Sequence, residues 1–204
     1  MAKREFWNVD VDDLQEIHRR VIGKPDISPE KSRAQAFLVR SSVHLSRSGR
    51  ESCLEIGAGF GRLMPYLSGI FQNVLGVDWS PSMVALSTRY LQQHPGCIVL
   101  LGDGYTLPFR DKMCDFVYSV TCFQHMEELA MIQSNLKEAY RVLRPEGSIC
   151  VQTVPGMTDG KPTGDGYPFE TVQAIEHEFM SAGFTDVAHR HLDQWIWITG
   201  RKEL

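Results

Sequence analysis

"LEIGAGFGRLMPYL", residues 54–67, joins an apolar run to three glycines and the start of a helical pattern. Glycine lets the chain turn sharply and lets the backbone approach a ligand closely, and the N–H groups that begin a helix point toward that ligand. A second stretch, "LGVDWSPSM" at residues 75–83, ends its own apolar run at Asp78. A carboxylate there can accept the hydroxyls of a ribose. The alternative is structural, with a tight turn at the glycines and a strand-end cap at Asp78.

Around these two stretches, short apolar runs alternate with helical patterns. The runs are "SCLEI" (52–56), "NVLGVD" (73–78), "CIVLLGD" (97–103), "DFVYSV" (115–120) and "SICVQTV" (148–154). Strands that are apolar almost throughout are typical of a parallel sheet covered on both faces. Helices are predicted between them at 61–68, at 81–93 with Ser80 as cap, and at 127–143. The pattern indicates a doubly wound α/β sheet.

The last 40 residues or so depart from this alternation. After a predicted helix at 169–182, the stretch "FTDVAHRHLDQWIWITGRK" (184–202) reads as two strands joined by a tight turn at Leu192–Asp193. Such a turn is too short for a parallel crossover, so the last strand is expected to run antiparallel. Residues 195–198 are bulky on both faces, which predicts a strand inside the sheet.

Two helical patterns precede the first strand. The first begins at Asp10 and carries apolar residues at helical spacing, namely Val11, Leu14, Ile17 and Val21. The second begins at Pro29, and its predicted apolar face is Ala34, Phe37, Leu38 and Leu45. We expect residues 1–49 to form a helical lid and residues 50–204 to form the α/β unit, within one structural domain overall.

Composition argues against several classes of protein. The formal net charge of -4 over 204 residues gives no basic surplus for nucleic acid. Every apolar run is shorter than the roughly 18 residues of a membrane span, and the first ten residues lack a signal peptide, so a cytoplasmic location is expected. Five cysteines without a C-x-x-C pair fit buried thiols better than disulfides or zinc ligands. No metal is expected, and the chain is predicted to be a monomer or a homodimer.

Two classes of enzyme use a glycine loop followed by an acidic residue. The spacing G-A-G-F-G differs from the G-x-G-x-x-G of dinucleotide-binding loops, which counts against an NAD-dependent oxidoreductase. "GDGYTLPF" (102–109) places Asp103 where it could bind an exocyclic amine. With "DFVYSVTCFQHM" (115–126) and "LKEAYRVLRPEGSI" (136–149), these stretches make the chain resemble the class I S-adenosylmethionine-dependent methyltransferases over roughly residues 52–202.

The resemblance implies a Rossmann-like three-layer sandwich whose seven-stranded, mostly parallel sheet has the order 3-2-1-4-5-7-6, with strand 7 antiparallel. It also implies S-adenosylmethionine as cofactor, S-adenosylhomocysteine as product and no metal. The residues implied at the cofactor are Glu55, Gly57, Ala58, Gly59 and Gly61 near the methionine part, Asp78 on the ribose, Trp79, Met83, Asp103 and Gly104 near adenine, and Ser119 near the sulfonium. One departure is Glu146, where the family usually has glycine in a turn.

Methyl transfer needs alignment and exclusion of water more than a reactive side chain. His125, just after the fourth strand, is the candidate base for a protonated acceptor, with packing as the alternative. Trp7, Phe123 and Tyr167 are candidate substrate contacts, again with packing as the alternative. The glycine- and proline-rich loop at 155–168 is expected to complete the lid.

The expected acceptor is a nitrogen or oxygen of a small-molecule metabolite. The chain has neither an Asn/Asp-Pro-Pro-aromatic motif after the fourth strand nor a Pro-Cys dipeptide, which are typical of enzymes that methylate amide or base nitrogens and pyrimidine carbons. Two alternatives stay open. One is a non-catalytic partner or regulator that binds the cofactor or its product, and the other is an NAD-dependent oxidoreductase.

Overall fold

The structure, a computed structural model, describes residues 29–126, 128–154, 157, 158, 161, 162, 169 and 171–204. The predicted first helix, Trp7 and Tyr167 lie outside the described residues, as does most of the predicted lid loop at 155–168.

The described residues form five α-helices and nine strands. The helices are α1 (Pro29–Ser42), α2 (Met64–Leu67), α3 (Pro81–Tyr90), α4 (Leu129–Val142) and α5 (Val172–Ser181), with 3-10 turns at Val43–Leu45 and Phe123–His125. The strands are β1 (Ser52–Ile56), β2 (Asn73–Asp78), β3 (Cys97–Leu101), β4 (Cys114–Val120), β5 (Leu143–Thr153), β6 (Met157–Thr158), β7 (Lys161–Pro162), β8 (Thr185–Leu192) and β9 (Trp195–Arg201).

Seven strands form one sheet in the order β3-β2-β1-β4-β5-β9-β8. Strands β1 to β5 pair in parallel, whereas β9 pairs antiparallel with both β5 and β8. Because β8 and β9 are the sixth and seventh strands of this sheet, the predicted order 3-2-1-4-5-7-6 is confirmed. The short strands β6 and β7 pair antiparallel with each other inside the segment predicted as a loop.

Helices cover both faces of the sheet, which makes the three-layer sandwich. On one face, Ile132 and Leu136 of α4 and Phe179 of α5 belong to one buried apolar cluster with β1, β4 and β5. On the other face, α1 and α2 close a second cluster. Ile196, Trp197 and Ile198 of β9 are all buried, so this strand lies inside the sheet as its bulky residues predict.

Two element boundaries differ from the prediction because of single backbone angles. Helix α2 begins at Met64 rather than at residue 61, since Gly61 has a φ of 82° that an α-helix cannot contain. The turn between β8 and β9 is residues 193–194, one residue later than predicted, with Asp193 at a φ of 54°.

Strand β5 begins at Leu143, although a turn was expected before residue 148. Leu143 pairs with Cys114, the N–H of Glu146 donates to the carbonyl of Lys202, and the N–H of Lys202 donates to Gly147. Because of these hydrogen bonds, residues 143–147 form an irregular first part of β5 and not a separate turn before it. Glu146, which stands where the resembled family usually has glycine, has a φ of 65° in the left-handed region.

The prediction of the apolar face of α1 is wrong for Ala34, Phe37 and Leu45, which are exposed, whereas Leu38 is partly buried against the second cluster. The buried residues of this helix are Ser32, Gln35, Ala36, Val39 and Ser42. Two of the polar ones, Ser32 and Gln35, meet polar groups of the α/β unit. Nε2 of Gln35 donates to Oε1 of Gln152 at 3.2 Å, and a guanidinium nitrogen of Arg62 donates to Oγ of Ser32 at 3.4 Å. A search for apolar spacing alone misses a face of this kind.

Asp115, at the start of β4, joins the beginning of β1 to the sheet. Its carboxylate has no exposed surface and accepts the backbone N–H groups of Gly49, Glu51 and Ser52 at 2.8 to 2.9 Å. Arg144 donates to both of its oxygens at 3.1 Å. Burial raises the pKa of Asp115, but the amides and Arg144 outweigh burial and hold the pKa below its usual value.

Candidate functional site

A cavity that is open to solvent at its mouth lies at the carboxyl ends of β1, β2 and β4. It falls where the strand order of the sheet reverses, between β1 and β4. Open α/β sheets bind ligands in the crevice at this point.

The Asp78 carboxylate holds the loop that follows β1. Its Oδ2 accepts the N–H of Gly59 at 2.8 Å, and its Oδ1 accepts the N–H of Ser80 at 2.9 Å. The N–H groups of Gly57 and Ala58 donate to the carbonyl of Val77 at 2.9 and 3.0 Å. Burial raises the pKa of Asp78, although three backbone N–H groups lower it. Each carboxylate oxygen keeps a lone pair that a ligand hydroxyl can use.

The three glycines of the loop serve different purposes. All have positive φ, at 71°, 56° and 82° for Gly57, Gly59 and Gly61. A Cβ on Gly57 would lie 2.2 Å from Sγ of Cys122, and one on Gly61 would lie 2.8 Å from Leu91. A Cβ on Gly59 would meet no atom within 4 Å, so open space lies beside that backbone. Gly57 and Gly61 are therefore needed for packing as well as for the turn.

Glu55 and Arg62 bring opposite charges to the buried side of the cavity. Oε2 of Glu55 accepts the hydroxyl of Tyr118 at 3.0 Å, and the two residues are paired across β1 and β4. Burial raises the pKa of Glu55 to about 8, although Arg62 and the Tyr118 hydrogen bond lower it. Burial also lowers the pKa of Arg62, and Glu55 opposes that shift. With a pKa of about 8, Glu55 is mostly protonated at neutral pH.

Trp79 and Gly104 form an apolar wall at another part of the cavity. A Cβ on Gly104 would lie 3.2 Å from the Trp79 ring and 3.5 Å from Met131, so the absence of a side chain lets the loop pack against the ring. Nδ2 of Asn135 donates to the carbonyl of Gly104 at 2.7 Å and holds this backbone in place. A flat apolar wall of this kind suits an aromatic ring.

Asp103 is exposed and organises its own loop. Its Oδ1 accepts the N–H groups of Tyr105 and Thr106 at 2.8 and 2.7 Å, and its Oδ2 accepts the Thr106 hydroxyl at 2.8 Å. The two backbone N–H groups lower the pKa of Asp103, so it is a carboxylate at neutral pH. Its predicted contact with an exocyclic amine stays a prediction.

The end of β4 contributes Thr121, Cys122 and His125 to the cavity. Thr121 has a φ of 56°, which is strained for a β-branched residue and is typical of functional sites. Burial raises the pKa of the Cys122 thiol to about 12, so it is a neutral thiol rather than a nucleophilic thiolate. His125 ends the 3-10 turn, and its backbone N–H donates to the carbonyl of Cys122 at 2.9 Å.

Most of the predicted site residues line this one cavity. They are Glu55, Gly57, Ala58, Gly59, Asp78, Trp79, Met83, Gly104 and His125. Four others lie elsewhere: Gly61 packs against Leu91, Asp103 binds its own loop, Ser119 donates to the carbonyl of Ile56 at 2.8 Å, and Phe123 is buried in the apolar core. The binding and catalytic roles of all these residues stay predictions.

Sequence reasoning missed several residues of the cavity. Arg62 directly follows the last glycine of the loop, and a charged residue in an otherwise apolar stretch was a usable signal. Asn135 and Met131 lie on α4, and Thr121 reaches the cavity because its backbone has a positive φ. These three positions give no sequence signal.

Neither a metal cluster nor a membrane-spanning helix is present among the described residues. No three His, Cys, Asp or Glu side chains in that part of the chain are grouped so as to hold a metal ion. No helix there combines the length and the apolar character needed to cross a membrane.

Comparison with known proteins relates the site to one family. Residues 54–151 match the family model described as a methyltransferase domain. The chain is 35% identical over 102 residues to an uncharacterized 37.1 kDa protein in transposon TN4556 of Streptomyces fradiae, covering 48% of this chain and 29% of that protein. It is 32% identical over 101 residues to demethylmenaquinone methyltransferase of Tropheryma whipplei (strain Twist), covering 50% and 41%. The chain thus spans less than half the length of either relative.

A solved structure extends the likeness beyond the matched segment. Phosphoethanolamine N-methyltransferase 2 of Haemonchus contortus, in complex with phosphomonomethylethanolamine and S-adenosylhomocysteine, superposes with a TM-score of 0.71 at 17% identity. The superposition covers 92% of this chain and 56% of that one. At this identity the likeness concerns the fold.

Proposed function

We propose that the chain is a class I S-adenosylmethionine-dependent methyltransferase and that it transfers a methyl group from S-adenosylmethionine to a nitrogen or oxygen of a small metabolite. The observation that carries the proposal is the cavity at the strand-order reversal, where Asp78 and the glycine loop meet. A carboxylate, an open backbone and an aromatic wall are what an adenosyl ligand requires.

Residues of the cavity fit the cofactor part by part. Open space beside Gly59 leaves room for a ligand against the loop backbone. Asp78 would hold the ribose hydroxyls, and Trp79 with Met83 would contact adenine. Glu55 would bind the ammonium of the methionine part, which favours loss of its proton. When bound, the cofactor supplies a methyl group activated by a sulfonium charge.

Catalysis by this chain would depend on the positioning of the methyl acceptor and on one general base. The cavity walls would hold the acceptor in line with the methyl group. His125 would take a proton from an acceptor that arrives protonated. Cys122 is unsuited to covalent catalysis because burial keeps it neutral, which favours direct transfer.

The net charge of the chain and the proposed lid over the cavity both favour a small acceptor. The chain carries a net charge of -4, which disfavours a polyanion such as RNA. Helix α1 contacts Arg62 and Gln152 through Ser32 and Gln35, which supports a lid formed by residues 1–49. We propose Trp7 and Tyr167 as acceptor contacts and the cytoplasm as the location, whereas Phe123 is buried in the core away from the cavity.

The test is to incubate the purified chain with methyl-labelled S-adenosylmethionine and two acceptor pools, a metabolite extract and total RNA. We expect S-adenosylhomocysteine formation, and a metabolite that gains the mass of one CH₂ by mass spectrometry. Asp78→Ala is the matched control and, at a cofactor concentration near the wild-type Kd, should reduce both signals. Label in RNA alone would overturn the proposed acceptor class. Cofactor binding without turnover in any pool would favour a non-catalytic binding protein, and binding of NAD in its place would favour an oxidoreductase.

A further inference from the structure

The side of α1 that points away from the sheet exposes a phenylalanine between two arginines. Phe37 is 68% exposed, although its ring is apolar. Arg33 lies four residues before it and Arg40 three residues after it, and both arginines are exposed. Residues three and four apart are neighbours on the surface of a helix, so the three side chains form one patch. We call this patch the α1 outer face.

The arginines of the α1 outer face have charges that the described residues do not neutralise. The ion pairs in that part of the chain lie elsewhere, and none of them includes Arg33, Arg40 or the exposed Arg47 that follows the helix. A guanidinium is charged at any physiological pH and carries five N–H donors. The patch can therefore offer both charge and hydrogen bonds to an anionic partner.

Charge is divided unevenly between the two helical layers of the sandwich. Residues 29–50 carry five lysines or arginines and one acidic residue, whereas residues 51–204 carry 11 and 18. Helices α2 and α3, which pack on the same apolar cluster as α1, contain no acidic residue. Helices α4 and α5 on the opposite face contain Glu138, Glu176 and Glu178. A negative surface would therefore attract the α1 side and repel the remainder, which orients the molecule.

A lipid surface fits this arrangement better than a nucleic acid does. A bilayer is flat, so it can contact the outer side of one helical layer and stay away from the acidic remainder. A nucleic acid that extends past α1 would meet that remainder and be repelled. Proteins that bind single strands typically use a groove lined by several aromatic side chains. The α1 outer face is instead the convex side of a helix, with Phe37 as its aromatic residue.

We propose that the α1 outer face binds the surface of a membrane that contains anionic phospholipids. Phe37 inserts between the head groups, where its ring leaves water, and Arg33 and Arg40 donate to lipid phosphates. The long stems of the arginines let their charged ends stay at the level of the head groups. The buried side of the same helix keeps its contact with Arg62 through Ser32. The inference goes beyond the proposed function and does not depend on it.

Co-sedimentation of the purified chain with sucrose-loaded vesicles tests this interaction. One set of vesicles contains equal parts of phosphatidylglycerol and phosphatidylcholine, and the other contains phosphatidylcholine alone. The wild type should bind the anionic vesicles about 10-fold or more tightly than the neutral ones. Added salt should weaken the binding, because it screens charges at an exposed surface.

Substitutions in the α1 outer face separate the role of charge from that of the ring. Arg33→Gln combined with Arg40→Gln should weaken binding to the anionic vesicles by about 10- to 30-fold. Arg33→Lys combined with Arg40→Lys keeps both charges and should stay within about 3-fold of the wild type. Phe37→Ser should weaken binding by about 5- to 10-fold, because it removes the group that is buried among the lipids.

Matched controls remove the same kinds of group elsewhere on the surface. Arg110→Gln combined with Lys137→Gln also removes two exposed positive charges, both outside α1. Met180→Ser removes an apolar side chain that is 55% exposed on α5, in the opposite helical layer. Each control should bind the anionic vesicles within about 2-fold of the wild type. Circular dichroism confirms that all variants are folded, which is expected for exposed positions.

A wild type that does not bind the anionic vesicles at low salt would overturn the inference. So would losses in the controls that equal those in the α1 variants, or unchanged binding in the α1 variants. Binding to single-stranded poly(U) without binding to either set of vesicles would overturn it in favour of a nucleic-acid surface. The proposed function is tested separately by the transfer assay, so its failure and the failure of this inference are distinguishable.

Discussion

Oδ2 of Asp78 accepts the N–H of Gly59 at 2.8 Å, which ties the end of β2 to the loop that follows β1. The same carboxylate accepts the N–H of Ser80 at the cap of α3 through its other oxygen. One side chain thus positions both segments that border the proposed ribose site, before any ligand is bound. Its removal should affect the shape of the site and its contact with the ligand together.

Asp78→Ala should weaken the binding of S-adenosylhomocysteine by about 1 to 3 kcal/mol, because ribose hydroxyls and two backbone N–H groups lose their acceptor. Asp78→Asn keeps the size of the side chain but replaces one acceptor oxygen with a donor, so a similar loss is expected. Calorimetry measures both, with Glu203→Ala at an exposed carboxylate as control. Unchanged affinity in Asp78→Ala would contradict the ribose assignment.

When no ligand is added, Glu55 should make the protein less stable as the pH rises. The folded-state pKa of about 8 lies above the usual 4.5, so between these values the folded state keeps a proton that the unfolded state has lost. The stabilising contribution is complete below pH 4.5 and is lost as the pH rises through 8, by at most roughly 5 kcal/mol.

Glu55→Gln has no such proton to lose. Urea denaturation of the wild type and Glu55→Gln between pH 5 and 9 should therefore give free energies of unfolding that diverge in favour of the variant as the pH rises. Curves that stay parallel over this range would show that Glu55 titrates near its ordinary value.

His125→Ala should lower kcat by about 100-fold if the acceptor arrives protonated, because the proton then has no side-chain acceptor. Affinity for S-adenosylhomocysteine should stay within about 2-fold, since the proposed cofactor contacts lie on other residues. Steady-state kinetics with the identified acceptor give the first value and calorimetry gives the second. His44→Ala, at an exposed histidine, is the control. An unchanged kcat would assign His125 to packing.

Asp115→Asn should destabilise the fold by about 3 kcal/mol or more, because Arg144 and three backbone N–H groups lose a buried anion. Asp111→Asn is a matched control, since Asp111 also pairs with an arginine, Arg141, but has a side chain that is 71% exposed. Its effect should stay below about 1 kcal/mol. Comparable losses in urea denaturation would contradict the role given to Asp115.

The pH dependence of this pair of variants gives a second readout. The pKa of Asp115 is depressed in the folded state, so its contribution is present above the unfolded-state value near 4 and is lost as the pH falls through the folded value. The difference in stability between the wild type and Asp115→Asn should therefore shrink in acid. A difference that is constant from pH 7 to pH 3 would argue against an ionised Asp115.

The sheet could be predicted because most of its strands appear in the sequence as short apolar runs. The apolar runs that became β1, β2 and β4 are too hydrophobic for anything but a doubly covered sheet, and the short turn before β9 allows only an antiparallel return. The glycine loop and Asp78 were predictable for a related reason, since each is a residue type that a particular backbone or ligand demands.

Other features depend on the assembled fold and leave no pattern in the sequence. Helix α1 buries Gln35 because Gln152 lies opposite it, more than one hundred residues later in the chain. Asp115 reads as the first residue of a strand, and its partners from Gly49 to Ser52 become visible only when β1 and β4 are side by side. Asp103 was assigned to the ligand by position, whereas its bonds to its own loop come from local geometry.

The interior position of β9 also bears on how the protein is made. Residues 195–201 are translated after every other strand of the sheet, yet they lie between β5 and β8. Until they leave the ribosome, a nascent chain has an open edge on β5, and β8 has no neighbour in the sheet. This half of the sheet therefore cannot be completed before its last strand is made, and a chain that ends before residue 195 would lack β9 and leave β8 without its pairing partner.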